Sequence, residues 1–179
     1  MMIYNAKSLR NKENLNNLGK NHGYYKWWAK KPELETILSK LGLSYNDVCC
    51  CLEKRDIDNE AYYCIYVGIA FKEPIAKRLY RCHINGKISN STFRRSIAAV
   101  VCGAMSDTQG TNDFIDLLKV EIFPLDLPVK TQDAEKEIQK IEKNLLNGKK
   151  LYPLNIQGNK HPMAPKKKLR QLRKEAASK

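Results

Sequence analysis

Long apolar runs are missing from this chain. None approaches the ~18 residues that a membrane helix needs, so no membrane span is expected. Met1 to Asn17 are polar and mixed in charge, without the apolar core of a secretory signal, and the cytoplasm is the expected compartment. Neither a Gly-x-Gly-x-x-Gly nor a Walker pattern occurs, which excludes the familiar glycine loops that cradle phosphates. Cys49, Cys50, Cys51, Cys64, Cys82 and Cys102 contain no Cys-x-x-Cys pair, and a consecutive triplet cannot form a regular disulfide set. Buried reduced thiols in a reducing compartment account for them. His22, His83 and His161 are too scattered for a zinc site, and no Ser-His-Asp arrangement can be placed.

Acidic residues are also in short supply. Nineteen Asp and Glu face 32 Lys and Arg, for a net charge of +13. The excess is uneven: residues 160–179 hold eight basic residues against Glu175 alone, which places +7 there and +6 in all that precedes. Such an excess favours a polyanion as partner, above all nucleic acid. A merely solubilising basic tail over 164–179 is the plainer reading of the same charge. The 179 residues suit one domain with a sizeable core, here 1–163, and the 42% hydrophobic content is ordinary for a globular chain.

Three segments read as strands. His22 to Ala29 is aromatic, with Gly23, Tyr25 and Trp27 on one face and Tyr24 and Trp28 on the other. Residues 61–69 end in Tyr66-Val67-Gly68, and Lys119 to Phe123 stops at Pro124. Gly19, Asn21 and Gly23 break the chain before the first strand. Pro32 opens a helix that Gly42 stops, Pro74 opens another running to about Ile84, and Ser91 caps a third through Val101. Charged residues 53–60 read as a loop. Thr131 or Asp133 starts the strongest helix, with Ala134, Ile138, Ile141 and Leu145 at helical spacing. The pattern predicts a small α+β fold.

Several side chains carry possible chemistry. Glu142 stands at the edge of that last apolar stripe, where a half-buried carboxylate is costly unless it meets a cation. A hard ion such as Mg²⁺ would supply one; a solvated helix edge is the alternative. Arg78 lies on the shoulder of the helix after Pro74 and suits phosphate, since its fork donates two parallel hydrogen bonds, unless it is a surface arginine. Tyr25 and Tyr66 would sit side by side if their strands pair, as catalytic phenols or as ordinary packing.

Together these residues resemble the GIY-YIG nuclease superfamily. Its two eponymous motifs would be Gly23-Tyr24-Tyr25 and Tyr66-Val67-Gly68, its arginine Arg78, and its metal-binding glutamate Glu142. Asn155 resembles the asparagine that follows, and His83 the histidine, one residue beyond the usual spacing. The motifs are about forty residues apart where a tight hairpin is usual, so residues 30–60 would be an insertion.

The resemblance implies a three-stranded antiparallel sheet flanked by helices and single-metal hydrolysis of phosphodiesters, most readily in DNA. Glu142 would hold Mg²⁺ or Mn²⁺. Tyr25 would deprotonate the attacking water, Tyr66 or His83 would position it, and Arg78 would stabilise the transition state. Asn155 would hold the site together by hydrogen bonds. Arg94, Arg95, Lys166, Lys167, Lys168, Arg170 and Arg173 would track the nucleic-acid backbone. A basic nucleic-acid-binding module without catalysis is the rival expectation.

Overall fold

Side chains that alternate across two long strands, His22–Lys30 (β2) and Glu60–Ala70 (β4), build the centre of the molecule. The structure, a computed structural model, describes residues 2–16, 18, 20–125 and 132–179. Gly19 and Thr131, expected at a chain break and a helix start, lie outside the described residues. With Met2–Asn5 (β1), Lys54–Ile57 (β3) and Lys119–Leu125 (β5), the strands form one antiparallel sheet in the order β1-β5-β2-β4-β3. The three expected strands are its middle. The expected total of three is corrected to five among the described residues, by one strand added at each edge.

The missed strand β3 lies in the charged stretch read as a loop. It turns back into β4 through Asp58 and Asn59, whose φ angles of 53° and 63° are left-handed. That is the backbone of a two-residue hairpin with positive φ at both central positions, for which Asp and Asn are suited. Lys54 and Asp56 face solvent, as charged residues on an edge strand do.

One sheet face carries Tyr25, Trp27, Tyr63, Ile65, Val120 and Ile122 into the main core. The other carries Trp28, Tyr62, Cys64 and Val67, packed with Ile57, Leu146 and Tyr152. Glu121 is fully buried on that second face, where it accepts a hydrogen bond from Trp28 Nε1 at 3.1 Å and pairs with Arg55. Burial raises the Glu121 pKa, against the pull of Arg55 and Lys26.

The helices are α1 (Lys12–Asn16), α2 (Lys31–Lys40), α3 (Tyr45–Val48), α4 (Ile75–Arg78), α5 (Thr92–Ile97), α6 (Thr108–Asp116), α7 (Gln132–Leu145) and α8 (Lys166–Ala177). Pro32 sits in the first turn of α2, which buries Leu34, Ile37 and Leu38. Helix α4 runs on as a π-helical stretch, Leu79–Ile84, and α5 as another, Ala98–Cys102, which ends at Gly103 in the left-handed region. No described helix is long and apolar enough to cross a membrane.

The C-terminal segment is not a loose basic tail. Helix α8 buries Leu169 and Ala176 against the stretch Ala98–Cys102, and Met105 N donates to Ala176 O at 2.9 Å. Leucine at 169 provides the apolar contact that a solubilising tail would not need. The cysteines are all free, but Cys49 and Cys50 are exposed rather than buried.

Candidate active site

Strands β2 and β4 pair so that Tyr25 lies opposite Gly68 and Trp27 opposite Tyr66. The two motifs are therefore neighbours in space, although residues 31–57, with α2, α3 and β3, come between them in sequence. Pairing alone does not explain why Gly68 is a glycine. A Cβ built there would stand 2.4 Å from Tyr25 Cζ and 2.5 Å from its hydroxyl. The Tyr25 ring occupies the space a side chain at 68 would take. Gly23 is constrained in another way: its φ is +152°, and a Cβ would meet the carbonyl oxygen of Phe123 at 2.2 Å.

Around this pair opens a cleft of about 300 Å³ lined by Tyr25, Tyr66, Gly68, Arg78, Glu142 and Asn155, with Thr92 at its margin. Five of the six expected catalytic residues thus meet on one surface, carried by β2, β4, α4, α7 and the segment after α7. His83 is not on the surface. It stands behind Tyr25, whose hydroxyl is 2.5 Å from His83 Nε2.

The displaced position of His83 has a local cause. Residues five apart point to different faces of an α-helix, whereas a π-helical turn closes i→i+5 bonds and brings them nearer one face. Such a bond joins Asn85 N to Tyr80 O at 2.9 Å. Arg78 and His83 are five apart, and the π-helical stretch between them lets both face Tyr25. On its far side His83 Nδ1 meets Ser91 Oγ at 2.8 Å, and that oxygen also accepts from Arg94 N at 3.1 Å, capping α5. A line of groups therefore runs from the cleft through Tyr25 and His83 to Ser91.

Arg94, expected on the nucleic-acid surface, is corrected: it is 1% exposed. Its guanidinium donates to the carbonyls of His83 and Ile84, at 3.0 and 3.1 Å, and to Asn112 Oδ1 at 2.7 Å. It closes the end of the π-helical stretch, where orphan carbonyls need donors. Arg95 beside it is exposed, as are Lys167, Lys168 and Arg170, while Lys166 donates to Asn159 O at 3.0 Å.

Burial drives the titration of the site. It is the first cause holding His83 down at about 3, with Arg78 and Arg94 adding to it, so His83 is neutral near pH 7. Burial also pushes the Tyr66 phenol up to about 12, against the pull of Arg78 and Arg173, and raises Tyr25 further still. A His depressed below its unfolded value of 6.5 binds fewer protons folded than unfolded between those values. Its contribution to stability is complete above pH 6.5 and is lost as pH falls from 6.5 towards 3. The loss expected from this group is about 3–5 kcal/mol. Urea unfolding at intervals across that range should show a steeper decline for wild type than for His83→Gln; parallel declines would contradict the assignment.

Glu142 is half-buried, and burial raises its pKa, with no cation offsetting it among the described residues. Arg78 is paired loosely with Glu73, at 3.5 Å, and its Nε is buried without a partner. Glu73 also takes Arg81, at 3.0 Å. An uncompensated carboxylate facing a polar cleft fits a divalent ion. No group of three or more ligating side chains occurs among the described residues.

Asn155 works on the backbone. Beyond β3, the free edge of β4 is covered by Leu154 N, which donates to Ile65 O at 3.0 Å, and by the Asn155 amide. Asn155 Oδ1 accepts from Val67 N at 2.8 Å and Nδ2 donates to Val67 O at 2.9 Å. This two-fold clamp fixes the residue between Tyr66 and Gly68. Asn155→Ala leaves both buried Val67 groups unpaired and should cost about 2–4 kcal/mol. The check is a lower urea midpoint at unchanged m-value; a loss below about 1 kcal/mol would contradict the clamp.

Ser91 and Glu73 contact His83 and Arg78, a link the sequence did not single out. Ser91 carried a helix-cap signal, but nothing local announced its contact with His83. Arg173 was placed with the basic surface, yet its charge is felt at Tyr66.

The paired strand motifs lie inside the segment that a family model recognises. Residues 23–175 match the GIY-YIG catalytic domain, and the chain belongs to that family of nucleases. No curated protein and no solved structure matches it.

Proposed function

We propose that this protein is a divalent-metal-dependent endonuclease that hydrolyses phosphodiester bonds in DNA, acting in the cytoplasm. The observation that carries the reading is the convergence of Tyr25, Tyr66, Arg78, Glu142 and Asn155 on one cleft.

Glu142 is the residue that would hold Mg²⁺ or Mn²⁺, and the ion when bound would polarise the scissile phosphate and stabilise the leaving oxygen. Arg78 binds the same phosphate with donors that include its unpaired Nε, and so opposes the charge that builds in the transition state. Both phenols are protonated near neutral pH, so either can take a proton from water only by passing its own on. Tyr25 has an acceptor for that proton in His83 Nε2 when His83 is the tautomer with its proton on Nδ1, facing Ser91 Oγ. Tyr25 is therefore the base and Tyr66 positions the water. The positive charge of Arg78 helps keep His83 neutral; a bound phosphate offsets that charge and raises the proton affinity of His83 when it is needed. Asn155 keeps Val67 fixed and does not react.

The test is nicking of supercoiled plasmid DNA in Mg²⁺, with parallel reactions in chelator and on a single-stranded RNA. Metal-dependent nicks in DNA support the reading. Retention of the DNA without any cleavage would instead identify a nucleic-acid-binding module.

A further inference from the structure

A second concavity is linked to the catalytic cleft by a hydrogen bond between one of its lining residues, Arg173, and Thr92 of the cleft. It has a volume of about 650 Å³, and its charged lining residues are Lys87, Arg95 and Arg173; no carboxylate lines it among the described residues. Lys87 and Arg95 are exposed. Arg173, on α8, donates through Nη2 to Thr92 O at 2.7 Å and to Ser96 Oγ, so it is pinned to α5. Thr92 lines the cleft while Arg173 lines the groove, and the two spaces therefore share a wall.

We propose that this groove holds the sugar-phosphate backbone of the nucleic-acid strand as it leaves the cleft past Thr92. The proposal rests on the nuclease reading and gives the substrate a direction across the molecule. Three features support it. The fold places Arg95 and Arg170 beside Arg173, and after burial their repulsion helps hold the Arg173 guanidinium down at about 10. Like charges brought together at a groove with no acid call for a polyanion. Arg173 Nε is buried and has no hydrogen-bond partner among the described residues, so the contacts to α5 do not exhaust the donors of this guanidinium. Its charge reaches Tyr66, so a phosphate at Arg173 would lie next to the one in the cleft. The groove lining contains no aromatic side chain on which a base could stack, which predicts contact with the backbone alone and little sequence preference.

The experiment measures binding of a fluorescein-labelled DNA duplex, and of the RNA duplex of the same sequence, in chelator at several salt concentrations. The protein carries Lys87→Glu and Arg95→Glu, which are exposed and outside the cleft. A control with the same change of charge carries Lys7→Glu and Lys40→Glu, exposed on other elements. If the groove holds two phosphates, the slope of log K against log salt should fall by about 1.5–2, and affinity by about tenfold or more, in the groove variant only. Slopes and affinities equal to those of wild type, or equal losses in the control, would overturn the proposal. A loss on both duplexes indicates a shared backbone contact, and a loss on one names the nucleic acid that uses the groove. Arg173→Lys, which keeps the charge but not the paired donors to Thr92 and Ser96, should weaken binding less than the double variant. Plasmid nicking by wild type against Glu142→Gln is run alongside. Cleavage that depends on Glu142 while groove binding is unchanged would reject the groove and retain the nuclease.

Discussion

Replacing Glu142 with glutamine is expected to lower phosphodiester cleavage by about a thousandfold or more. The fold should not suffer. The carboxylate is half-buried, burial raises its pKa, and no cation among the described residues compensates it, so its charge costs stability in the free protein. A neutral amide of the same shape removes that cost. Glu142→Gln should therefore unfold at the same temperature as wild type or slightly higher while losing activity, a pattern that a structural residue does not produce. Circular dichroism melts and plasmid nicking on the same preparations give both readouts. Cleavage within about tenfold of wild type would remove Glu142 from the mechanism.

The second large effect is expected from one methyl group. Gly68→Ala puts a Cβ 2.4 Å from Tyr25 Cζ, far inside the ~3.5–4.0 Å at which carbon atoms pack. Tyr25 cannot swing aside freely, because it is 1% exposed and bonded to His83. Strand β4 cannot yield easily either, since the Asn155 clamp grips Val67 next door. Overpacking of this kind costs about 1–3 kcal/mol. A displacement of Tyr25 by about 1 Å would lower the rate by about a hundredfold. Adding Tyr25→Leu to Gly68→Ala should recover part of the stability and none of the activity. Wild-type cleavage by Gly68→Ala alone would mean that the position of Tyr25 is not important to the reaction.

The three central strands were legible because their alternation and turn residues are local signals. The aromatic faces of His22–Lys30 were assigned correctly from a period of two. Strand β3 was not legible: its four residues, Lys54–Ile57, are charged like a loop, and only pairing with residues 60–63 makes them a strand. The motif residues were found by type and order. How His83 reaches Tyr25 was hidden, because a π-helical turn has no sequence signature and the extra residue looked like a wrong spacing. Arg94 misled for the opposite reason. Its type suggests a phosphate contact, whereas its burial depends on carbonyls freed by that same turn. The basic C-terminus was read from its charge, but the burial of Leu169 is a tertiary fact that makes α8 part of the domain.

In the proposed mechanism one carboxylate, Glu142, serves one divalent ion in a cleft that hydrolyses phosphodiesters. The most direct test is the initial rate of plasmid nicking by the wild-type protein across a titration of Mg²⁺. No cleavage is expected in chelator, and the rate should rise hyperbolically to saturation, as a single ion requires. Cleavage that persists in chelator, or a sigmoidal rise that demands a second ion, would contradict this mechanism.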